Sequence, residues 1–497
     1  MNKPNILFIM CDQMRYDAIG CNGNDIIHTP NLNRLAQSGV NFSNCYTPNP
    51  ICVPARATIT TGFYPHKCTG VKKNGGSIKE GYPLLGEELN RRGYETYAMG
   101  KLHYLPYDSK KENRTTYGIK NVELAESGRM LAKFDPEHKQ RGIEDYHDYL
   151  HTVGWGGYSR GDAIGNNDIF PSSTPVPEEY FVDTWVADRA IYHMEKHASE
   201  KPETPFFMWA SFPKPHSPYN PPHPYDKMYD PRDMPPPVGD ISDVIERGVD
   251  NSYLEYWDFM WDKLSPETKK VIKAHYYGLI TLQDKQIGRL LDFLEEKGLR
   301  ENTIIIYTAD HGDMMGDFGL YFKRVFYNGS VRIPLMISYP PKIKGGSVSD
   351  ELVGLQDLLP TILSLTGEPL GQRVDGGDLT GTVLEGKPVR DYYIAQCGDS
   401  PDQQYMVADR EWKYIYHEYG GVEELYNLKN DPSELNNLSG SKETETAGRL
   451  EKMRSYLTEW CIENKDSMMI ENGKLKSLEK KKLDLPKRVD PFGRRYY

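Results

Sequence analysis

Asn5-Ile-Leu-Phe-Ile-Met-Cys-Asp-Gln13 is the first patterned stretch of the chain, an apolar run that stops at Asp12. A run without polar alternation suits a strand covered on both faces, which is how parallel strands are built. The reading extends outward from there. Further strands are predicted at Thr96–Met99, Phe206–Phe212, Thr303–Thr308 and Leu335–Tyr339. Helical patterns lie between them: Leu85–Arg92, the long amphipathic Lys269–Lys297, closed by Gly298, and Asp357–Leu365. Strands alternating with helices predict an α/β fold with a mainly parallel sheet. Three predicted strands end in polar residues: Asp12-Gln13, Lys214-Pro-His216 and Asp310-His311. Ligands of open α/β sheets bind beyond the carboxyl ends of the strands, so the three ends predict one site.

The pattern changes after about residue 380. Short strand-like pieces at Tyr392–Gln396, Tyr405–Ala408, Trp412–His417 and Glu423–Tyr426 precede a charged helix near Thr446–Glu463. They predict a small antiparallel sheet with one covering helix. A chain of 497 residues exceeds one ordinary core, so the expected division is a catalytic domain at 1–380 and a C-terminal subdomain at 381–497. The basic stretch Lys474–Lys487 reads as a solvated tail. Pro213–Pro224 and Pro235–Pro237 read as rigid loops near the rim of the site.

Hydrophobic residues at 38% and charged residues at 26% fit a folded chain, and a net charge of −11 argues against nucleic acid as a partner. No window is long and apolar enough for a membrane span, and the start lacks the pattern of a secretion signal. Seven cysteines, an odd number, point to reduced thiols and a cytoplasmic location. Self-association stays open.

Cys52-Val-Pro-Ala-Arg56 carries the first chemical signal. Pro54 suits the first turn of a helix, which puts Cys52 at a helix N-terminus, where free N–H groups and the dipole activate a thiol or attract an anion. Arg56 follows one turn later on the same face. Asp12, Gln13, Asp310 and His311 offer two carboxylates, an amide oxygen and an imidazole from separate strands, a set suited to a hard divalent cation. Calcium is favoured on that count, while the imidazole leaves magnesium or manganese open. Lys101 and His103 are two apart, so an extended segment would put a cation and a titratable ring on one face.

Cys52-x-Pro-x-Arg56 resembles the motif that sulfatase-maturing enzymes oxidise to formylglycine. His28-Thr-Pro-Asn-Leu-Asn-Arg-Leu-Ala36, Thr61-Gly-Phe-Tyr-Pro-His66, Gly93-Tyr-Glu-Thr-Tyr-Ala-Met-Gly-Lys-Leu-His103 and Thr308-Ala-Asp-His-Gly-Asp313 also resemble sulfatase segments. The resemblance runs from Asn5 to about Leu438. Val53 departs from it, standing where the family usually has a small residue. Gln13 departs too: the family commonly has Asp-Asp at positions 12 and 13, and the Asp-Gln pair resembles the phosphonate monoester and phosphodiester hydrolases of the same superfamily.

The resemblance implies an alkaline-phosphatase-like fold and hydrolysis of sulfate esters, of a sulfated carbohydrate or an aryl sulfate. It implies a formylglycine at Cys52 as nucleophile and metal ligand, one divalent metal, and a formylglycine-generating or radical sulfatase-maturing enzyme as partner. Lys101, His216 and Lys323 are implied to hold the sulfate, His216 or Lys323 to protonate the leaving alcohol, and His103 to act as base. His66, His223 and Arg332 are weaker candidates. One rival reading is a phosphonate monoester or phosphodiester hydrolase, favoured by Gln13. Another is a non-catalytic binding protein, against which the intact Cys52, Arg56, Lys101, His103, Asp310 and Lys323 argue. Specificity is expected from the loops Asp108–Gly154, Asn166–Glu178 and Pro213–Tyr253, whose Tyr146, Tyr149, Trp155, Tyr158 and Tyr180 suit stacking on sugar rings.

Overall fold

The computed structural model describes residues 3–480 apart from 136, 138, 159–164, 250–263 and 467–468. The last residues of the Pro213–Tyr253 loop and the part of the basic tail beyond 480 therefore lie outside the described residues.

The central strands are β1 (Asn5–Asp12), β2 (Val40–Phe42), β4 (Glu95–Gly100), β5 (Asn121–Leu124), β6 (Phe206–Pro215), β7 (Thr303–Ala309), β8 (Leu335–Ser338) and β9 (Ser347–Ser349). The short pair β3 (Cys45–Tyr46) and β10 (Val353–Gly354) lies beside them. In space the sheet runs β5-β4-β6-β1-β7-β8-β2-β9. From β5 to β7 every pairing is parallel; β8 runs against β7 and β2. The sheet is thus mixed but mainly parallel. Strand β1 sits between β6 and β7 and is buried along its whole length, the environment its unbroken apolar run requires.

The helices that matter for the site are α1 (Pro30–Gln37), α2 (Cys52–Thr61), α3 (Leu85–Arg91), α4 (Arg129–Phe134), α5 (Asp145–Thr152), α6 (Val182–Glu200), α7 (Pro266–Glu296) and α8 (Leu358–Leu365). Helix α7 opens on Pro266 with the Ser265 hydroxyl accepting from the Thr268 N–H, and it packs against α6, α1 and β6. Beyond them, β11 (Tyr393–Cys397), β12 (Gln404–Ala408), β13 (Trp412–His417) and β14 (Val422–Asn427) form an antiparallel meander covered by α9 (Thr444–Glu463). This meander has an apolar cluster of its own, built on Tyr405, Tyr414, Leu425, Leu457 and Trp460.

Tyr393 and Lys72 are among the residues that tie the meander and its covering elements to the larger layer. Tyr393 donates to the Tyr46 carbonyl at 2.9 Å. The buried Lys72 ammonium reaches the Tyr405 hydroxyl at 2.6 Å and Asp466 at 3.2 Å. No described helix is long and apolar enough to cross a membrane.

Candidate active site

The carboxyl ends of the parallel strands converge as expected. Asp12 closes β1, and Gln13 follows with φ 71, a left-handed conformation that turns the chain out of the sheet. Asp310 and His311 follow β7, Lys101 follows β4, and His216 follows β6. The register of β1 against β6 shifts between Cys11 and Asp12, so Asp12 sits opposite Pro215 beside His216. The approach of β4 to β6 is close at Gly100, where a Cβ would fall 1.9 Å from the Ser211 carbonyl oxygen.

Cys52 is the first residue of α2 and Pro54 lies in its first turn. Asn74, in a loop without readable pattern, accepts from the Val53 N–H at 3.3 Å and caps one of the free donors. Cys52 is buried, with Sγ 3.1 Å from His311 Nε2, 3.4 Å from Lys323 Nζ, 3.8 Å from Asp12 Oδ1 and 3.9 Å from Lys101 Nζ. Burial and Asp12 push this thiol up, but Lys101, Lys323 and His311 outweigh them and bring it down to about 6.

Arg56, one turn on and fully buried, donates Nε to Asp310 at 2.9 Å and Nη2 to Asp12 at 3.3 Å, and it also binds the Lys101 carbonyl. Lys101 pairs with the same Asp12 oxygen, Oδ2, and leaves Oδ1 toward Cys52 and His311. Burial works against ionisation of Asp12, yet Lys101, His216, Arg56 and Lys323 hold its carboxyl well below the usual range.

Ligand atoms of Asp12, Cys52, Asp310 and His311 all lie within 4.8 Å of one another, and all four residues are buried. A divalent metal fits this set. The His311 Nδ1 donates to the Gly312 carbonyl at 2.9 Å, which leaves Nε2 with its lone pair toward the carboxylates. Gln13 Nε2 donates to Asp313 Oδ2 at 2.5 Å, so its amide oxygen is the atom left to face the site, where Lys323 Nζ reaches it at 2.7 Å. Asp313 lies inside a motif quoted above, but sequence reasoning gave it no role. Its other bonds, from Tyr219 OH at 2.6 Å and the N–H groups of Phe322 and Met315 at 2.8 and 3.0 Å, fix its position.

Lys101 and His103 do not share a strand face. The strand ends at Gly100, and His103 has φ 54. The cause is Glu126, whose Oε1 accepts from the N–H groups of Leu102 and His103 at 2.9 and 2.8 Å and turns the backbone. His103 stacks on Tyr107 with ring centroids 6.2 Å apart. Burial, then Arg129, Lys101 and Arg56, hold its imidazole well below its ordinary value, so the ring is neutral. His216 is held down by burial and Lys323, and its Nδ1 donates to the Ser217 carbonyl at 2.7 Å.

The weaker candidates have their hydrogen-bond and ring partners outside this group. His66 bonds Gln396 and Asn464 and packs on Trp460, at the seam with the C-terminal sheet. His223 is exposed beside Asp226, and Arg332 binds the Ser43 carbonyl over the Tyr16 ring. Of the aromatic residues, Tyr146 lines a cavity of about 70 Å³ together with Ser127, Val176, Phe181, Lys214 and His216. Tyr149 packs against Tyr146 and Trp185.

Known proteins match this arrangement. The Sulfatase family model matches residues 4–368, and the model for the C-terminal part of N-sulphoglucosamine sulphohydrolase matches residues 316–460. An arylsulfatase of Clostridium perfringens is 33% identical over 92% of this chain and 94% of its own. An N-acetylglucosamine-6-O-sulfatase of Bacteroides thetaiotaomicron is 26% identical over 94% of this chain and 87% of its own. Among solved structures, the phosphonate monoester hydrolase of Agrobacterium radiobacter superposes with a TM-score of 0.77 at 25% identity, covering 93% of this chain and 96% of that one. The fold is alkaline-phosphatase-like, the chain belongs to the sulfatase family, and the enzyme is a sulfuric ester hydrolase.

Proposed function

We propose that the enzyme cleaves the sulfate ester of a carbohydrate or an aryl alcohol with a formylglycine made from Cys52 and one divalent metal, calcium being favoured. The observation that carries this reading is the buried group of Asp12, Cys52, Asp310 and His311, set at the N-terminus of α2. With the amide oxygen of Gln13 the donors are mostly hard. When bound, the metal supplies positive charge beside the nucleophile. The hydrated aldehyde supplies one hydroxyl to attack sulfur and a second whose deprotonation expels sulfate.

The side chains do the rest. Lys101 and Arg56 keep Asp12 ionised, and Arg56 orients both Asp12 and Asp310. Lys101, His216 and Lys323 hold the sulfate oxygens in a site shielded from water. Lys323 gives the leaving alcohol its proton, with His216, which must be protonated to hold a sulfate oxygen, as the alternative donor. Neutral His103 takes the proton from the second hydroxyl. The names of the arylsulfatase and the N-acetylglucosamine-6-O-sulfatase support the two substrate classes.

Gln13 and the likeness to a phosphonate monoester hydrolase favour a secondary activity on phosphonate monoesters or phosphodiesters. A formylglycine-generating or radical maturing enzyme is the partner this mechanism needs. The seven unpaired cysteines support the cytoplasm as location. The separate sheet and apolar cluster support the division at 380/381.

The test is co-expression with a maturing enzyme, peptide mass spectrometry of Cys52, and assay on aryl sulfates and sulfated sugars. Aldehyde content and activity should rise together. High activity from wholly unmodified Cys52 would end the mechanism.

A further inference from the structure

Of His103, His216 and His311, two are anchored by their own rings. His311 Nδ1 donates to the Gly312 carbonyl at 2.9 Å, and His216 Nδ1 to the Ser217 carbonyl at 2.7 Å. His103 lacks such a bond: among the described residues its buried Nδ1 finds no hydrogen-bond partner. Its main chain is also bent, with φ 54, a conformation that costs a histidine energy. A base works only within hydrogen-bond reach of the proton it takes, so another group has to hold this ring.

The holder is Glu126. Strand β5 pairs with β4 up to Leu124 opposite Gly100, and the Ala125 N–H donates to the Gly100 carbonyl at 2.9 Å. The two segments leave the sheet side by side, which brings Glu126 against the residues after Lys101. Its Oε1 accepts from the N–H groups of Leu102 and His103 at 2.9 and 2.8 Å, and the residue is buried. Successive N–H groups converge on one anion when the backbone turns as it does at His103. Its Oε2 accepts from Tyr107 OH at 3.1 Å, and the Tyr107 ring lies within 4° of parallel to the His103 imidazole. One carboxylate thus fixes His103 by its main chain and by the face of its ring.

Glu126 is itself held. The buried Glu144 carboxylate accepts from the N–H groups of Glu126 at 2.9 Å, Gly128 at 3.3 Å and Met130 at 3.3 Å. Lys101, in contrast, has anchors of its own. Its N–H donates to the Ser211 carbonyl at 2.9 Å, its carbonyl accepts from Arg56 and from the Ser211 hydroxyl, and its ammonium pairs with Asp12. Glu126 therefore acts on the base and leaves the sulfate-binding cation in place.

We infer that Glu126, with Tyr107 as its second arm, is the positioning residue for His103 in the step that expels sulfate. It acts through His103 and not on the substrate. The inference rests on the proposed role of His103 as the base for the second hydroxyl. In that step the O–H proton passes to His103, its electron pair re-forms the carbonyl, and the carbon–oxygen bond to sulfate breaks. The earlier attack on sulfur uses the other hydroxyl.

The test uses matured full-length enzyme and 4-nitrophenyl sulfate, with His103→Ala as reference. Here kcat/KM covers the steps up to release of the phenol, while kcat also covers expulsion of sulfate. Glu126→Asp keeps the charge but draws the carboxylate back from Leu102 and His103. It should lower kcat about a hundredfold, the cost of a misplacement near 1 Å, with KM falling in step. The ratio kcat/KM should stay within about threefold of wild type, and a burst of phenol should mark the first turnover. Glu126→Gln keeps the reach and gives up the charge, and should recover most of kcat. Crystal structures should show the His103 ring displaced in Glu126→Asp and in place in Glu126→Gln, with Lys101 unmoved in both. Tyr107→Leu removes the second arm alone. It should show the same kinetic pattern on a smaller scale, and it carries the test should the aspartate variant unfold. Unaltered kcat, or equal falls in kcat and kcat/KM, would overturn the inference. So would activity kept by Glu126→Asp and lost in Glu126→Gln, or a His103 ring that stays in place in Glu126→Asp. A wild-type kcat in His103→Ala would instead sink the base role of His103, and the inference with it.

Discussion

Asp313→Asn isolates the orientation of Gln13 from every other feature of the site. The substitution keeps shape and volume, and the oxygen that accepts from Met315 and Phe322 survives. The other oxygen, which accepts from Gln13 Nε2 at 2.5 Å and Tyr219 OH at 2.6 Å, becomes an N–H₂ donor. Two donors cannot face each other, so the Gln13 amide must reverse. Its oxygen then turns to the new amide, and its nitrogen meets Lys323 Nζ, now 2.7 Å from the oxygen. The site loses an oxygen ligand and gains a donor beside a cation. Groups that orient metal ligands are worth about 10- to 100-fold in metal affinity, and that is the loss expected here. The assay is competition with a chelator, following bound metal and activity together; saturating metal should recover most of the turnover. Tyr219→Phe is the control. It removes one bond to the same oxygen, should cost about 1 kcal/mol of stability, and should leave metal affinity alone. Metal affinity in Asp313→Asn within twofold of wild type would refute the assignment of Gln13 as a ligand through its oxygen.

Lys323→Ala removes an oxyanion contact and the proposed proton donor, so turnover of a sulfate ester should fall about 100- to 1000-fold in steady-state assays. The rate should hold as pH falls through 6.5 and decline only below it, since burial and Arg129 keep His103 neutral and active as a base; a pH–rate profile checks this. Burial raises the Asp183 carboxyl to about 7, whereas its unfolded value is about 4. In that window the folded state binds the extra proton, so this group's stability contribution is lost as pH rises from about 4 to 7, by at most about 4 kcal/mol. Asp183→Asn should flatten that part of the dependence in denaturant titrations run across the same pH range.

Strands β1, β4, β6 and β7 were legible because burial leaves an apolar signature, as in Ile6–Cys11, and because polar residues follow them; β5, with Asn121 and Glu123 at the half-exposed sheet edge, was not. The position of Cys52 at a helix N-terminus was legible from Pro54. The C-terminal strands were legible through their aromatic and β-branched content and the turns between them. Residues that act through irregular backbone were not. Glu126, Glu144 and Asn74 do their work by accepting main-chain N–H bonds in loops, which leaves no period in the sequence. The same bonds bent the Lys101–His103 segment away from the extended form that spacing alone suggests. Asp313 sat in plain view beside Asp310 and His311, but only the bond from Gln13 reveals what it orients.

The central claim is a preference for sulfate, and the most direct test holds the leaving group constant. Matured enzyme with Cys52 converted to formylglycine should be assayed on the sulfate, phenylphosphonate and ethyl phosphate esters of one phenol. Sulfate and phosphodiester carry the same single charge, so any preference reports the arrangement of Lys101, His216 and Lys323 rather than attraction alone. The account predicts the highest kcat/KM for sulfate, with measurable secondary turnover of the phosphorus esters arising from Gln13. A kcat/KM for phosphonate above that for every sulfate tried, sulfated sugars included, would contradict it.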